Sequence, residues 1–304
     1  MTLPALLLIT ISAFGHAFWN FFSKRRSPAA AFFWIASLSS ALLLLPMLFL
    51  FRSGLPYLAP LDWLLIGMTG IFQASYYIGL AGAYSNGDLS LAYPLARALP
   101  VLLVTSISIA LGRGSQISPW ALPGFFAIFA GCIILPLPDF TNFKLSYFLN
   151  ACCLFAVLAA FSTTGYTLSD DHVLRSLRTA PGIALDNSQI TLLFMSLENL
   201  SLSLALGVWV LLHPRQREIL RATWRTGWMA ASFAGLMMTA TYGLVLAAMA
   251  YVSNVSYVSA FRQLSIPIGA ALGIIVRKEP RPTPKLVGLG MIVFGLIVVA
   301  LSKR

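Results

Sequence analysis

Apolar residues along the chain gather in blocks of about twenty, long enough to cross a hydrocarbon layer roughly 30 Å thick as helices. Short polar stretches such as "SKRR" and "LPDFTNFK" separate them. The pattern places spans at 3–22, 29–51, 61–84, 89–112, 117–137, 147–168, 188–212, 227–251, 254–276 and 282–301. In lipid a spanning segment must satisfy its own backbone, so each block is predicted to be helical. The expected fold is therefore an all-α membrane protein with ten transmembrane helices. The longest polar connection, "SDDHVLRSLRTAPGIALDNS", falls between spans six and seven and is too short to form a domain.

The blocks also repeat. A shift of 165 residues lays "YPLARALPVLL" over "VSAFRQLSIPI", which superposes Arg97 on Arg262 and Leu99 on Leu264. The same shift pairs Gly70 with Gly235, Tyr77 with Tyr242 and Ala83 with Ala248; with a one-residue gap, Gly124 and Gly131 fall on Gly288 and Gly295. A shift of 147 pairs Trp19 with Tyr166 and Asn20 with Thr167. The expected organisation is two five-helix repeats, residues 1–140 and 141–304, forming one integral membrane unit. Because five is odd, the second repeat starts on the opposite side of the membrane, and the two are inverted. Inverted repeats belong to secondary transporters, which bind substrate near the membrane midplane between the repeats.

Composition supports the membrane reading. Of 304 residues, 59% are hydrophobic and 10% charged, against about 25% charged in soluble domains. The net charge of +11 sits in short loops, where it signals topology, and not on a surface suited to nucleic acid. Cys132, Cys152 and Cys153 lie in or beside apolar blocks without metal or disulfide spacing. They read as small packing residues. The first block has "SKRR" after it and no basic residue before it. That order is the reverse of a secretory signal peptide, so the block is expected to be retained as the first span.

Away from the span ends, where Asp62 and Lys285 fall, the predicted spans hold one histidine and three charged residues: His16, Arg97, Glu198 and Arg262. A charged side chain at a helix centre costs about 2.5–3.5 kcal/mol on insertion scales. Such residues therefore face a partner, the bundle interior or a water-filled cavity. Both arginines lie roughly 12 Å into their spans, too deep for snorkelling to the surface. Pro94 and Pro100 flank Arg97, and Pro267 follows Arg262, so an interrupted helix is expected at corresponding places in both halves. The alternative is a kink that serves packing, with Arg97 tied to a carboxylate. Glu198 could neutralise an arginine, exchange a proton for ion coupling, or make one polar contact between helices. His16, Trp19 and Asn20 share a helix face, mirrored in span six by Thr163, Tyr166 and Thr167. Tyr93 stands one turn before Arg97, and Gln263 follows Arg262. The candidate binding set is thus Arg97, Arg262, Tyr77, Tyr93, Tyr242, Trp19, His16, Asn20, Tyr166 and Gln263, with Glu198 as the coupling candidate. Trp63, Trp120, Trp224 and Trp228 read as interface anchors. Gly269 and Gly273 form a GxxxG that permits close helix approach.

No Gly-x-Ser-x-Gly elbow, His-Glu-x-x-His or phosphate loop occurs. The reading is of a non-enzyme without cofactor or metal.

The stretches "HAFWNFFSKR", "GYTLSDDHVLR" and "SAFRQLSIPIGAALGIIVRKEPRPTPKLVGLGMIVFGLIVV" resemble the drug/metabolite transporter superfamily, specifically its EamA-type members with two five-span repeats. Glu279 matches that family's acid after span nine, whereas the first half has Gly114 where the repeat would place it. The resemblance implies a permease for small organic metabolites, often amino acids or related carboxylates, working by alternating access with export favoured. It also implies residence in the cytoplasmic membrane of a bacterium. Import by the same fold, or a non-transporting scaffold whose arginines only lock helices, are the alternatives. Ten spans can enclose a cavity alone, so a monomer is expected.

Orientation divides the two lines of reasoning. Twelve of the 20 Lys and Arg residues follow odd-numbered spans, six lie in the other loops and tails, and the remaining two are Arg97 and Arg262. The positive-inside rule then places both termini outside, whereas the resemblance implies cytoplasmic termini. The charge count predicts that a cysteine replacing Arg304 is labelled by a membrane-impermeant maleimide in intact cells. Labelling only after the membrane is opened would reverse the assignment.

Overall fold

The computed structural model describes the backbone of residues 1–23, 29–86, 89–137, 139–140, 150–278 and 280–302, and their side chains except those of 19–23, 84, 86, 89–95 and 277. Among these residues the chain is helical, with no strand. The α-helices are α1 (Leu3–Ser23), α2 (Ala30–Leu50), α3 (Pro60–Asn86), α4 (Leu89–Ser108), α5 (Leu122–Ile134), α6 (Ala151–Thr179), α7 (Asn187–Leu212), α8 (Pro214–Thr226), α9 (Trp228–Ala248), α10 (Val255–Phe261), α11 (Ser265–Arg277) and α12 (Thr283–Leu301). Eight segments are long and apolar enough to cross a membrane, and Leu3–Phe18 and Pro119–Ile134 are shorter apolar helices.

The outward faces identify the solvent. On α1, Leu3, Leu7, Ile11, Phe14 and Phe18 recur on one side and are all more than half exposed, while Ala5, Ser12, Ala13 and Ala17 are buried opposite. Large apolar side chains outside and small residues inside is the reverse of a soluble helix. It is the pattern of a helix clad in lipid and packed closely inward. The chain is an all-α, multi-pass membrane protein by this architecture.

Three expectations need correction. First, α6 continues to Thr179, about three turns beyond the predicted end of span six. Val173, Leu174 and Leu177 are fully buried, and Asp171 meets Arg175 one turn later at 2.9 Å. Second, the connection after α7 forms its own helix, α8. Third, the interruption exists in one half only. In the second half the helix breaks at a 3₁₀ turn, Arg262–Leu264, between α10 and α11. In the first half, α4 passes through positions 94 and 100 unbroken, and a π turn follows at Ile109–Arg113 with Gly112 at φ 77°. Proline is tolerated inside a spanning helix because neighbouring helices make up the lost bond. The positive φ at 112 needs glycine.

Packing is closest where glycines stand. α3 runs along α6 and α7, α9 along α1 and α2, α2 along α7, α5 along α12, and α4 along α6. A Cβ on Gly235 would lie 2.1 Å from the Ala36 carbonyl oxygen of α2, and one on Gly70 2.5 Å from the Ser201 carbonyl carbon of α7. Gly124 and Gly131 press against the carbonyls of Gly295 and Gly288, each at 2.6–2.8 Å from the would-be Cβ. By contrast, a Cβ at Gly269 would meet Ala17 at 4.0 Å, so Gly269 makes no close approach.

One end of the bundle gathers the N-terminus and four connections. Thr2 Oγ1 donates to the Tyr251 carbonyl (2.8 Å), Tyr57 Oη to the Gly182 carbonyl (2.7 Å) and Ser253 Oγ to the Gln116 carbonyl (3.0 Å). The α8 helix lies at the other end.

Gly235→Ala is expected to cost about 1–3 kcal/mol by overpacking, read as a lower thermal midpoint in detergent. Gly290→Ala, with nothing within 4 Å of the new methyl, should be neutral or stabilise by up to about 1 kcal/mol, the gain of alanine over glycine inside a helix. Equal behaviour of the two variants would contradict the close approach.

Candidate functional site

Six helices and the 3₁₀ turn converge on a buried polar cluster. Arg262, on the turn, is 8% exposed. Its Nη2 donates to Tyr166 Oη at 3.2 Å, and its guanidinium carbon lies 5.2 Å from the Tyr242 ring centre and 5.9 Å from that of Tyr166. Both distances are within cation–π range. Tyr166 and Tyr242 meet edge-on at 5.7 Å, and Tyr76 meets Tyr166 at 6.2 Å. Tyr77 stacks on Phe33 at 4.6 Å and joins Tyr76 at 5.2 Å. These rings line one side of the cluster.

Two carboxylates complete it. Asp170, 0% exposed, accepts from Thr69 Oγ1 at 2.7 Å and from Tyr242 Oη. Glu198, 2% exposed, accepts from Gln73 Nε2 through Oε1, and the charges of Asp170 and Arg262 act on it. Arg97, on α4, donates from Nη2 to the Arg262 carbonyl (2.6 Å) and to Ser265 Oγ (2.9 Å). That carbonyl lies at the break between α10 and α11, where the helix ladder changes register. The two arginines therefore lie side by side, one guanidinium on the other's backbone.

Several polar atoms here are buried with no hydrogen-bond partner among the described residues: Arg262 Nε, Glu198 Oε2, Gln263 Oε1 and His16 Nε2. Gln263 spends its Nε2 on the Ser259 carbonyl, at 3.0 Å. His16 lies within the electrostatic reach of Arg97 and Arg262. A buried polar atom without a partner costs about 1–3 kcal/mol. The cluster thus presents both a donor and acceptors that the chain itself leaves unused.

Of the predicted residues, Arg262, Tyr166 and Tyr242 are in direct contact, and Tyr77 joins them through Tyr76. The side chains of Trp19, Asn20 and Tyr93, and residue Glu279, lie outside the described residues. Asp170, Thr69, Gln73 and Tyr76 were not expected. Helical phase could have found them: Asp170 continues the Thr163, Tyr166, Thr167 face by one turn, and Thr69, Gln73 and Tyr77 recur at four-residue spacing. Asp170 escaped because span six was expected to end at 168.

A second polar group lies nearer the end that carries the N-terminus. Asp171 pairs with Arg113 (2.8 Å) and Arg175 (2.9 Å), and Arg175 Nη2 also donates to the Ser253 carbonyl (3.1 Å). Asp62 accepts from Ser176 Oγ (2.8 Å) and the Ala59 N–H (2.9 Å). Arg178 Nη2 donates to Thr191 Oγ1 (3.0 Å) and the Leu246 carbonyl (3.1 Å). These contacts join α6 to α3, the π turn after α4, α7, α9 and the turn before α10.

No protein-family model matches the chain, and no curated protein is significantly similar to it. Among solved structures, a chain described only as "Crystal structure of protein" superposes with a TM-score of 0.64 at 14% identity, over 98% of this chain and 98% of its own. At that identity the likeness shows a shared fold and nothing about activity.

Removing the Asp170 carboxylate would strand the Thr69 and Tyr242 hydroxyls. Asp170→Ala is expected to destabilise by about 2–6 kcal/mol, from about 1–3 kcal/mol for each of the two buried donors left without an acceptor. Asp170→Asn, which keeps one acceptor oxygen, should lose less. Thermal unfolding in detergent measures both, and wild-type stability in Asp170→Ala would show that the hydroxyls have other acceptors.

Proposed function

We propose that the chain is a secondary transporter of the EamA type within the drug/metabolite transporter superfamily, moving a small amino acid or related carboxylate across the membrane. The carrying observation is the buried set of unpartnered polar atoms around Arg262. Arg262 Nε is a cationic donor suited to a carboxylate, and Glu198 Oε2 and Gln263 Oε1 are acceptors suited to an ammonium group. The Tyr166 and Tyr242 rings beside them provide an apolar wall.

The reading includes ten spans in two inverted five-helix repeats, and the packing supports it. Exchanging each helix with its counterpart in the other half turns α1 on α9 into α6 on α3, and α3 on α7 into α9 on α2. The pairs α2 with α7 and α5 with α12 map onto themselves. The glycines follow: Gly70 against α7 becomes Gly235 against α2, and Gly124 on Gly295 becomes Gly288 on Gly131. In this scheme the break at Arg262 has no counterpart at Arg97, which instead holds the Arg262 carbonyl. The substrate site is thus asymmetric within a symmetric frame. Arg262 contacts the carboxylate, Arg97 fixes the turn that bears it, and Glu198 is the proton-exchanging group. Export is the favoured direction.

Proteoliposomes loaded with labelled amino acids and with carboxylates lacking the amine test the reading. Flux should fall at least about tenfold in Arg262→Ala, the loss expected when a charge-assisted hydrogen bond of about 1.5–3 kcal/mol is removed. Glu198→Gln should flatten the pH dependence of whatever flux remains. A folded wild-type protein that moves none of these solutes would favour the scaffold, and undiminished flux in Arg262→Ala would remove the arginine from the site.

A further inference from the structure

α8 connects the end of α7 to the start of α9 at the end of the bundle opposite the N-terminus. Its 13 residues, PRQREILRATWRT, are not among the apolar helices that could cross the membrane. One face belongs to the bundle. Ile219 and Leu220 pack against the buried cluster formed by Ala30, Ala31, Leu202, Leu206 and Val210 among others, and Gln216 Oε1 accepts from the Ala31 N–H at 3.2 Å. That amide, in the first turn of α2, has no partner within its own helix. These contacts hold α8 against the ends of α2, α7 and α9.

The opposite face is basic. Arg217, Arg221 and Arg225 recur every four residues, so they form a stripe about 12 Å long, and all three are exposed. Like charges at this spacing repel one another. Among the described residues no carboxylate pairs with any of them, and Glu218 is the only acid on the helix. Beside the stripe, Trp224 is 57% exposed and Trp228, at the start of α9, 48%. Exposed indoles favour the headgroup level of a bilayer. They fix the depth of the stripe at the plane where α7 ends and α9 begins, which is where phospholipid phosphates lie. An amphipathic helix carrying such a row is attracted to anionic lipid.

We propose that the Arg217–Arg221–Arg225 stripe of α8 is a binding surface for the phosphate groups of anionic phospholipids. It stands apart from the Arg262 cluster and does not depend on the transport reading.

The test uses the full-length protein in mixed detergent micelles containing equal amounts of phosphatidylglycerol and phosphatidylcholine, with retained lipids counted by native mass spectrometry. Wild type is expected to retain phosphatidylglycerol over phosphatidylcholine by at least about tenfold at low salt, and less at high salt. The triple variant R217Q/R221Q/R225Q, made at exposed positions with a residue that suits helices, should lose most of that preference. The triple variant R217K/R221K/R225K should keep it. R281Q/K285Q, which removes basic charge elsewhere in the chain, should also keep it. The proposal is overturned if the glutamine variant retains the wild-type preference or the lysine variant loses it. It is equally overturned if R281Q/K285Q loses as much as the α8 variant. Absence of any preference in wild type would assign the stripe to water or to a soluble acidic partner.

Discussion

A guanidinium held away from bulk water is the constraint around which the centre of this protein is arranged. Charges interact strongly at low dielectric, so an unsupported Arg262 would be costly, and a direct ion pair would satisfy it most simply. The chain uses a different arrangement. Two tyrosine rings and one hydroxyl surround the cation. A carboxylate reaches it indirectly through Tyr242, whose hydroxyl is bound to Asp170. Asp170 also takes the Thr69 hydroxyl, so both of its oxygens are occupied. The charge is supported by dipoles and ring faces, and its Nε is left over.

That arrangement needs a backbone to hold it. Breaking the helix between α10 and α11 frees carbonyls, and Arg97 donates to the one at Arg262. The close glycine contacts of α5 with α12, α3 with α7 and α9 with α2 bring helix backbones together where side chains would keep them apart. Large residues are thereby turned outward to lipid, as on α1. Small residues inside therefore serve the polar centre indirectly, since they fix the helices from which Thr69, Gln73, Tyr166, Glu198 and Tyr242 project.

Hydrophobic block length made the helices legible, because lipid requires long apolar runs and polar breaks between them. Arg262 and its tyrosines were also legible, since a buried charge in such a run demands partners. Asp170 was not, because "SDDHVLR" looks like a polar loop when read by hydropathy. Its helical state follows from Val173, Leu174 and Leu177 packing into the bundle and from the Asp171–Arg175 pair, which are tertiary and electrostatic effects. The amphipathic α8 was hidden for a related reason: its apolar residues are few and spaced around one face, which a block reading averages away. The symmetric break expected at Arg97 failed because proline reports only a lost hydrogen bond. Whether the helix opens there depends on what its neighbours supply.

The consecutive aspartates of α6 tie these observations together. Adjacent helical positions point about 100° apart, so Asp170 and Asp171 must meet different surroundings. Asp170 turns to Tyr242 and Thr69 beside Arg262, and Asp171 to Arg113 and Arg175 towards the end that carries the N-terminus. Rotation of α6 about its own axis would break one set of contacts or the other. Tilting it would pull on α3 through Thr69 and Asp62, on the π turn after α4 through Arg113, and on α9 through Tyr242 and the Leu246 carbonyl. One helix therefore carries both the support of the central cation and the closure of one end of the bundle.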